Sequence, residues 1–402
     1  MWLSQHEVPH TIIDKAVFPR DKVCGDAVSG RGFSILRQLQ PDIMQEVGRL
    51  PEALTTYGIL FSAPNGKEIT FDVSSYSHLT SEGAGAKNPA GFVIKREHFD
   101  NFLFNKLNPE YADIRQATAL ERIERRPDGT LLAALSCDGQ TQEVNPKIVI
   151  AADGERSQIN RQLVRHQQSD KHFAAAVRAY YTNVTGFDSN NSIELHFIEE
   201  TLPGYLWIFP LPNGGCNVGL GMLSHHVKKG KHNLRKEMLD LLANHPKFKE
   251  RFAHAKLEGK VLGWGLPLGS KKRAISGDNY LLTGDAASLI DPLTGEGVGN
   301  AIISGKYAAV YAMEALKANN FSASFFRERY DHIIYKKLWK ELQLSHALQR
   351  MASYPTLTNF VFNLATRNPK MQAAIANMFV DIDMRKKIKN PFFYFKMLFG
   401  KG

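Results

Sequence analysis

Two short apolar runs, far apart in the chain, constrain what it can fold into. His10-Thr11-Ile12-Ile13 is β-branched and closed by Asp14, and Asn279-Tyr280-Leu281-Leu282-Thr283 is closed by Gly284-Asp285. Each has the length and composition of a buried parallel strand, with a carboxylate at its end. Between them, from about residue 171 to 268, the pattern is mostly β with Gly/Pro turns, interrupted by a polar helical stretch near 232–245. Strands of the α/β kind at both ends of a β-rich block predict an α/β fold whose nucleotide-type domain is discontinuous in sequence. Its segments are 1–56, 75–165 and 270–320. A mostly antiparallel β domain takes 57–74 and 166–269, and a helical segment takes 321–402.

Local patterns fill in the rest. A helix is expected over about 32–48, and a hairpin joins Tyr57–Phe61 to Glu68–Val73 around Pro64-Asn65-Gly66. A second helix runs from about Arg96 to Leu107. Strands follow over 113–124, 130–136 and 143–151, the last ending in Asp153-Gly154. A long helix of small residues spans about Val298 to Lys317, and the chain is helical and basic after Phe321.

Charge separates the same regions. Of the net +10, the segment from Arg327 onward carries 14 Lys/Arg against 5 Asp/Glu, while the first 326 residues hold 36 against 35. A balanced body argues against a nucleic-acid-binding domain. The segment 384–402 has six Lys/Arg, no acid and five aromatics. It suits an anionic membrane surface, although docking on the protein's own core and disorder are the rival readings. No run of about 18 apolar residues is present. Three scattered cysteines give no disulfide framework and no CxxC, and no secretory signal is visible. A cytoplasmic protein, peripheral at the membrane through its tail, is the expectation.

Several chemistries find no support. There is no G-x-S-x-G elbow, no HExxH and no metal-ligand spacing among the histidines. Gly299 to Gly305-Lys306 misses a P-loop by one residue, and Tyr307 stands where Ser or Thr is needed. Asp14 alone reads as a cap or turn residue, and Asp153-Gly154 as a turn. The run from Thr283-Gly284-Asp285 through Pro292-Leu293-Thr294-Gly295-Glu296-Gly297-Val298-Gly299-Asn300 is more informative. Glycines at a helix N-terminus let a ligand approach free N–H groups at the positive end of the dipole.

Taken in order, these motifs resemble a known family. Lys22-Val23-Cys24-Gly25-Asp26, Arg96-x-x-Phe99-Asp100, Ala152-Asp153-Gly154-x-x-Ser157 and Gly284-Asp285-Ala286 followed by Gly295-Glu296-Gly297 look like the flavoprotein monooxygenase fold. Tyr205-x-Trp207-x-Phe209-Pro210, then eight residues, then Gly219-Leu220-Gly221, is similar to the substrate-domain motif of the geranylgeranyl reductase family. The resemblance implies a Rossmann-like domain holding FAD. It implies that Asp14, with Lys15 beside it, takes the adenosine ribose. Arg96 and the Cys24-Gly25-Asp26 loop would flank the flavin, and Asp153-Gly154 would contact the cofactor. Gly284-Asp285 would meet the ribityl-phosphate side, and Gly295, Glu296, Gly297, Val298, Gly299 and Asn300 the isoalloxazine. The family opens with a strand and a GxGxxG turn that would lie upstream of Leu3. The chain therefore reads as N-terminally shortened, and at 402 residues it is expected to hold FAD poorly.

The implied function is reduction of carbon–carbon double bonds in an isoprenoid-like or other apolar substrate. Cys24, otherwise a small buried hydrophobe, is the catalytic candidate. Tyr205, Trp207 and Phe209 share one strand face. They line a substrate tunnel or pack on the core. A hydroxylase on the same fold and a non-catalytic flavin-fold protein are the alternatives. A halogenase is disfavoured, because Tyr205 and Phe209 stand where a WxWxIP pattern wants Trp and Ile. No second GxGxxG is present, so the electron donor is NAD(P)H bound transiently or a redox protein.

Overall fold

The computed structural model describes residues 1–72 and 89–367. Both constraining runs lie in parallel pairs, as β-branched buried strands do. His10–Ile13 runs parallel to Ala112–Arg115. Val149–Ala151 runs parallel to Tyr280–Leu282, which also pairs antiparallel with Ser276–Gly277. The two parallel pairs belong to separate sheets. The helix Val298–Ala318 supplies Ile303, Ala308, Ala312 and Ala315 to the core around Leu281 and Leu282. Small side chains let it come close. Tyr330 closes this core, fully buried, and donates its hydroxyl to the carbonyl of Leu282 at 2.6 Å.

The larger sheet has seven strands, in the order 256–267, 173–182, 215–223, 205–211, 193–196, 58–62 and 68–72. Its neighbours are antiparallel except 193–196 with 58–62. The early hairpin thus extends a sheet built mainly from residues beyond 170, and Gly66, at φ +79°, makes its turn. The strand Tyr205–Leu211 divides two cores by its period of two. Leu206 and Ile208 face Val218, Leu220, Met238 and Phe248. Tyr205, Trp207 and Phe209 face Phe61, Phe71 and Leu195. Gly219 makes room for the indole, since a Cβ there would stand 2.1 Å from Trp207 Cζ2 and 2.3 Å from the Val177 carbonyl oxygen.

Local departures from the sequence reading have local causes. The helix expected over 32–48 is two, Gly30–Leu36 and Ile43–Gly48. Pro41 lies between them and disfavours helical backbone at the residue before it. The strand expected over 113–124 breaks into Ala112–Arg115 and Thr118–Arg125 at Ala117, whose φ is +52°. The run 143–151 divides around Pro146 into Gln140–Val144 and Val149–Ala151. The polar helical stretch belongs to a series of three, Ser224–Gly230, Leu234–Asn244 and Pro246–Phe252. Beyond Phe321 the helices His332–Ala352 and Pro355–Ala365 follow. The basic segment 384–402 lies outside the described residues. Among the described residues no helix is long and apolar enough to cross a membrane.

Two glycines test this packing. Gly305 lies mid-helix with open space where a Cβ would point, so Gly305→Ala is expected to raise stability in urea unfolding by ~0.5–1 kcal/mol. Gly219→Ala should instead lower it by ~1–3 kcal/mol, because Trp207 must move. Equal effects from the two substitutions would contradict the strand register.

Candidate active site

The loop that follows the first strand lies flat on the aromatic face of the large sheet. A Cβ on Gly25 would stand 3.0 Å from Phe209 Cε2 and 3.5 Å from Trp207 Nε1, so glycine alone permits the approach. Asn217, fully buried on the neighbouring strand, fixes the contact. Its Oδ1 accepts from Trp207 Nε1 at 2.9 Å, and its Nδ2 donates to the Cys24 carbonyl at 2.7 Å and to Asp26 Oδ2 at 2.8 Å. Asp26 Oδ2 also accepts from the Tyr180 hydroxyl at 2.6 Å, and Oδ1 accepts from the Arg96 N–H at 3.3 Å. Burial pushes the Asp26 carboxyl up to about 6, opposed by its bonds to Tyr180 and Asn217 and by the charges of Arg178 and Arg96.

Arg96 begins the helix Arg96–Phe104 and pairs with Asp100 one turn on, at 2.6 and 2.9 Å. The Cys24 side chain is an electrostatic neighbour of its guanidinium. Asp100 takes Arg20 at 2.8 Å, and Arg20 reaches Asp14 at 3.5 Å. A chain of alternating charges thus runs from Asp14 to Cys24.

The second half of the site is the segment 284–300. Gly284, at φ +52°, donates its N–H to Ser304 Oγ at 2.9 Å. Asp285 pairs with Lys22 at 3.4 Å. Asp291 shapes the turn that follows. Its Oδ1 accepts the N–H groups of Leu293 and Thr294 at 3.0 and 2.9 Å, and its Oδ2 accepts from Ser345 Oγ at 2.6 Å. The Tyr205 hydroxyl donates to the Thr294 carbonyl, and a Cβ on Gly295 would stand 3.1 Å from that hydroxyl. Glu296 accepts from Ser29. A Cβ on Gly297 would stand 3.3 Å from Asp285 Oδ1, and one on Gly299 3.6 Å from the Gly32 nitrogen. Gly297 begins the long helix without a side-chain cap, so Val298 and Gly299 lie in an uncapped first turn at the positive end of the helix dipole. Asn300 is buried and donates to the Leu289 carbonyl at 2.6 Å.

Three segments therefore converge: 22–32, the strand face of Tyr205, Trp207 and Phe209, and 284–300. Asp14 stands off, with Oδ1 accepting from the Ala16 N–H at 2.9 Å, and Lys15 beside it is exposed. Asp153 is exposed and accepts from the Gln158 N–H at 2.7 Å, while Gly154 turns the chain at φ +75°. Tyr180, Asn217 and Asp291 escaped the sequence reading. Asn217 carried one signal, a polar residue inside the apolar run Cys216-Asn217-Val218, where a buried polar group needs partners.

The arrangement fits a flavin. A flat ring stacked on main chain needs the close approach that glycine permits, here at Gly25. Its electron-rich edge needs donors that a Cβ would block, here the glycine-lined, uncapped helix start. Among the described residues no group of His, Cys, Asp and Glu could hold a metal ion. Because the folded-state pKa of Asp26 is raised, its favourable contribution is present at low pH and is lost as pH rises through about 6. The stability difference between wild type and Asp26→Asn should move in favour of wild type by roughly 2–3 kcal/mol as pH falls from 7 to 4. A difference independent of pH in paired denaturation curves would place Asp26 in a more polar setting.

Comparison with known proteins bears on the family and the cofactor. Residues 1–317 match the FAD binding domain family. Digeranylgeranylglycerophospholipid reductase 2 of Methanosphaera stadtmanae is 27% identical over 327 residues, 80% of this chain and 76% of that protein. Menaquinone reductase of Mycobacterium tuberculosis is 28% identical over 314 residues, 77% of this chain and 71% of that protein. The crystal structure of a geranylgeranyl bacteriochlorophyll reductase-like protein from Thermoplasma acidophilum has a TM-score of 0.79. It covers 96% of this chain and 90% of its own, at 22% identity, which speaks for the fold. With the family match spanning both halves of the site, this chain belongs to the FAD binding domain family, and FAD is its cofactor.

Proposed function

We propose that this protein is an FAD-dependent reductase of carbon–carbon double bonds in a long, apolar, isoprenoid-like substrate. The apposition of Gly25 with the aromatic strand carries the reading. Tyr205, Trp207 and Phe209 form a continuous wall, with ring centroids 6.2 and 6.3 Å apart, and Phe197 extends it at 5.8 Å from Tyr205. Such a surface recognises hydrocarbon and excludes water. The similarity to reductases of a prenylated phospholipid and of menaquinone supports the same substrate class.

FAD, when bound, supplies the hydride chemistry. The chain's own residues do the rest. Gly297, Val298 and Gly299 would offer backbone N–H groups to the isoalloxazine edge, with Gly295, Glu296 and Asn300 shaping the turn around them. Asp285, held by Lys22, takes the ribityl side, and Asp14 the adenosine ribose. A double bond that gains a hydride at one carbon needs a proton at the other. Cys24 Sγ, an electrostatic neighbour of the Arg96 guanidinium beside the aromatic wall, is the group we assign to hold that proton. The electron donor is NAD(P)H or a redox protein. The basic, aromatic segment 384–402 brings the enzyme to an anionic membrane that contains its substrate.

The test begins with the reduced flavoprotein under anaerobic conditions. Mixing with a prenyl lipid should restore the oxidised flavin spectrum and yield the saturated chain. Reoxidation by air alone, with a hydroxylated product, would assign a monooxygenase instead. Asp285→Ala should lower flavin per protein several-fold, since its ligand partner would lose an acceptor. Cys24→Ala should retain flavin but slow lipid-driven reoxidation by roughly 100-fold. Removing residues 384–402 should abolish co-sedimentation with anionic vesicles at low salt. Undiminished co-sedimentation would locate the membrane contact elsewhere.

A further inference from the structure

A second polar centre lies where the loop 268–273, the segment ending at His172, and the helix His332–Ala352 meet. The Leu268 N–H donates to the His172 carbonyl at 3.0 Å. His172 Nδ1 lies 2.8 Å from the hydroxyl of the buried Ser270, and the His346 ring stands edge-on to His172 at 6.0 Å. The main chain of Arg273 is clamped by Tyr335, whose hydroxyl accepts the Arg273 N–H at 3.0 Å and donates to its carbonyl at 2.8 Å. The backbone is thus fixed, yet Arg273 Nη1 is buried with no hydrogen-bond partner among the described residues. A guanidinium does not shed its proton, so buried N–H groups left unpaired on it are unfavourable unless an acceptor joins them.

The surroundings make the imbalance larger. Burial pulls the Arg273 guanidinium down, and Tyr335 is the one ionisable neighbour that opposes this. Burial, then the charges of His346, Lys271, Arg273 and Lys171, hold His172 below its ordinary value, and none of these neighbours is an acid. His166 is lowered in the same way, by burial and then by Arg273 and Lys271.

We propose that Arg273, Lys271, His172 and His346, with Ser270, form a binding site for a phosphate-type anion. The guanidinium fork and the imidazole and hydroxyl donors suit tetrahedral oxygens, and two cations, Arg273 and Lys271, suit more than one negative charge. The anion is either free phosphate, inorganic or on a soluble molecule, or the phosphodiester of a lipid headgroup. The site backs onto the turn that Asp291 shapes, because the Gly269 N–H donates to the Ile290 carbonyl at 2.7 Å and Ser345, next to His346, holds Asp291. It stands on the unpaired arginine and does not depend on the flavin reading, since its test measures anion binding.

Full-length protein, dialysed free of phosphate, is titrated with inorganic phosphate and, separately, with monomeric dihexanoylphosphatidylglycerol. The thermal midpoint is followed, with sodium chloride at matched ionic strength as the control. A saturable rise beyond chloride is expected, with the apparent affinity falling at least tenfold in Arg273→Gln. Lys271 is exposed, so Lys271→Gln keeps the fold and should weaken binding several-fold even where Arg273→Gln does not fold. Tighter binding of the lipid identifies a headgroup site, and tighter binding of inorganic phosphate a free-phosphate site. A wild type that responds to both ligands no more than to chloride overturns the proposal, as does Lys271→Gln responding like wild type.

Discussion

A single buried carboxamide ties the first loop to the aromatic strand, and the site depends on that tie. Asn217 has one acceptor and two donor hydrogens, and each is used: by the Trp207 indole, the Cys24 carbonyl and the Asp26 carboxylate. These partners come from different parts of the chain and are held away from water, so no solvent replaces the amide. Losing it would leave three polar groups short of a partner, at about 1–3 kcal/mol each. The position of the Cys24–Gly25 peptide is thus set by the most ordered element available, a strand paired on both sides in the seven-stranded sheet. The loop at Cys24 gains the precision of a sheet while remaining a loop.

The glycine turn is held by an equivalent device of opposite origin. Asp291 orders the turn from within, and the helix His332–Ala352 holds it from behind. Ser345 donates to Asp291, and Gln349 donates to the Pro292 carbonyl at 2.6 Å. The same helix reaches the first loop, where Glu341 takes Arg31 at 2.8 Å. Charge alone sets this helix apart in the sequence as part of a basic appendage. Its apolar face, Ile334, Leu338 and Leu342, is buried in the core that covers Leu281 and Leu282. It is a brace for both halves of the cleft, so damage there would reach the flavin site without touching a cofactor residue.

What the sequence revealed follows from what kind of constraint each residue obeys. Gly295, Gly297 and Gly299 were legible as positions of close approach, because a backbone with side chains or main chain so near its Cα has few residue choices. Tyr205, Trp207 and Phe209 were legible because a strand alternates. Asn217, Tyr180 and Asp291 were not, because a polar residue in a strand or turn reads as solvent-facing until its partner is known. That partner lies 193 residues away for Asn217 and Cys24, and 154 for Tyr180 and Asp26. The helix expected over 32–48 shows the opposite failure. Apolar periodicity ran through Pro41, and the local rule that proline enforces at residue 40 outweighed it.

The charged chain from Asp14 through Arg20, Asp100 and Arg96 to Cys24 has a different role from these hydrogen bonds. Partly exposed ion pairs add little to stability, and buried ones recover their desolvation penalty only when well paired. Asp100, with a side chain 11% exposed, has two arginines on its carboxylate, and burial alone would raise its pKa. The arginines outweigh that and hold it below the ordinary carboxylate range. Asp100 therefore stays ionised, and it fixes Arg20 and Arg96 at a set separation. Arg96 cannot rotate toward solvent without leaving that carboxylate behind, so its guanidinium stays in the electrostatic neighbourhood of Cys24. Positioning of the cysteine comes from two independent directions, the backbone through Asn217 and the side chain through Arg96.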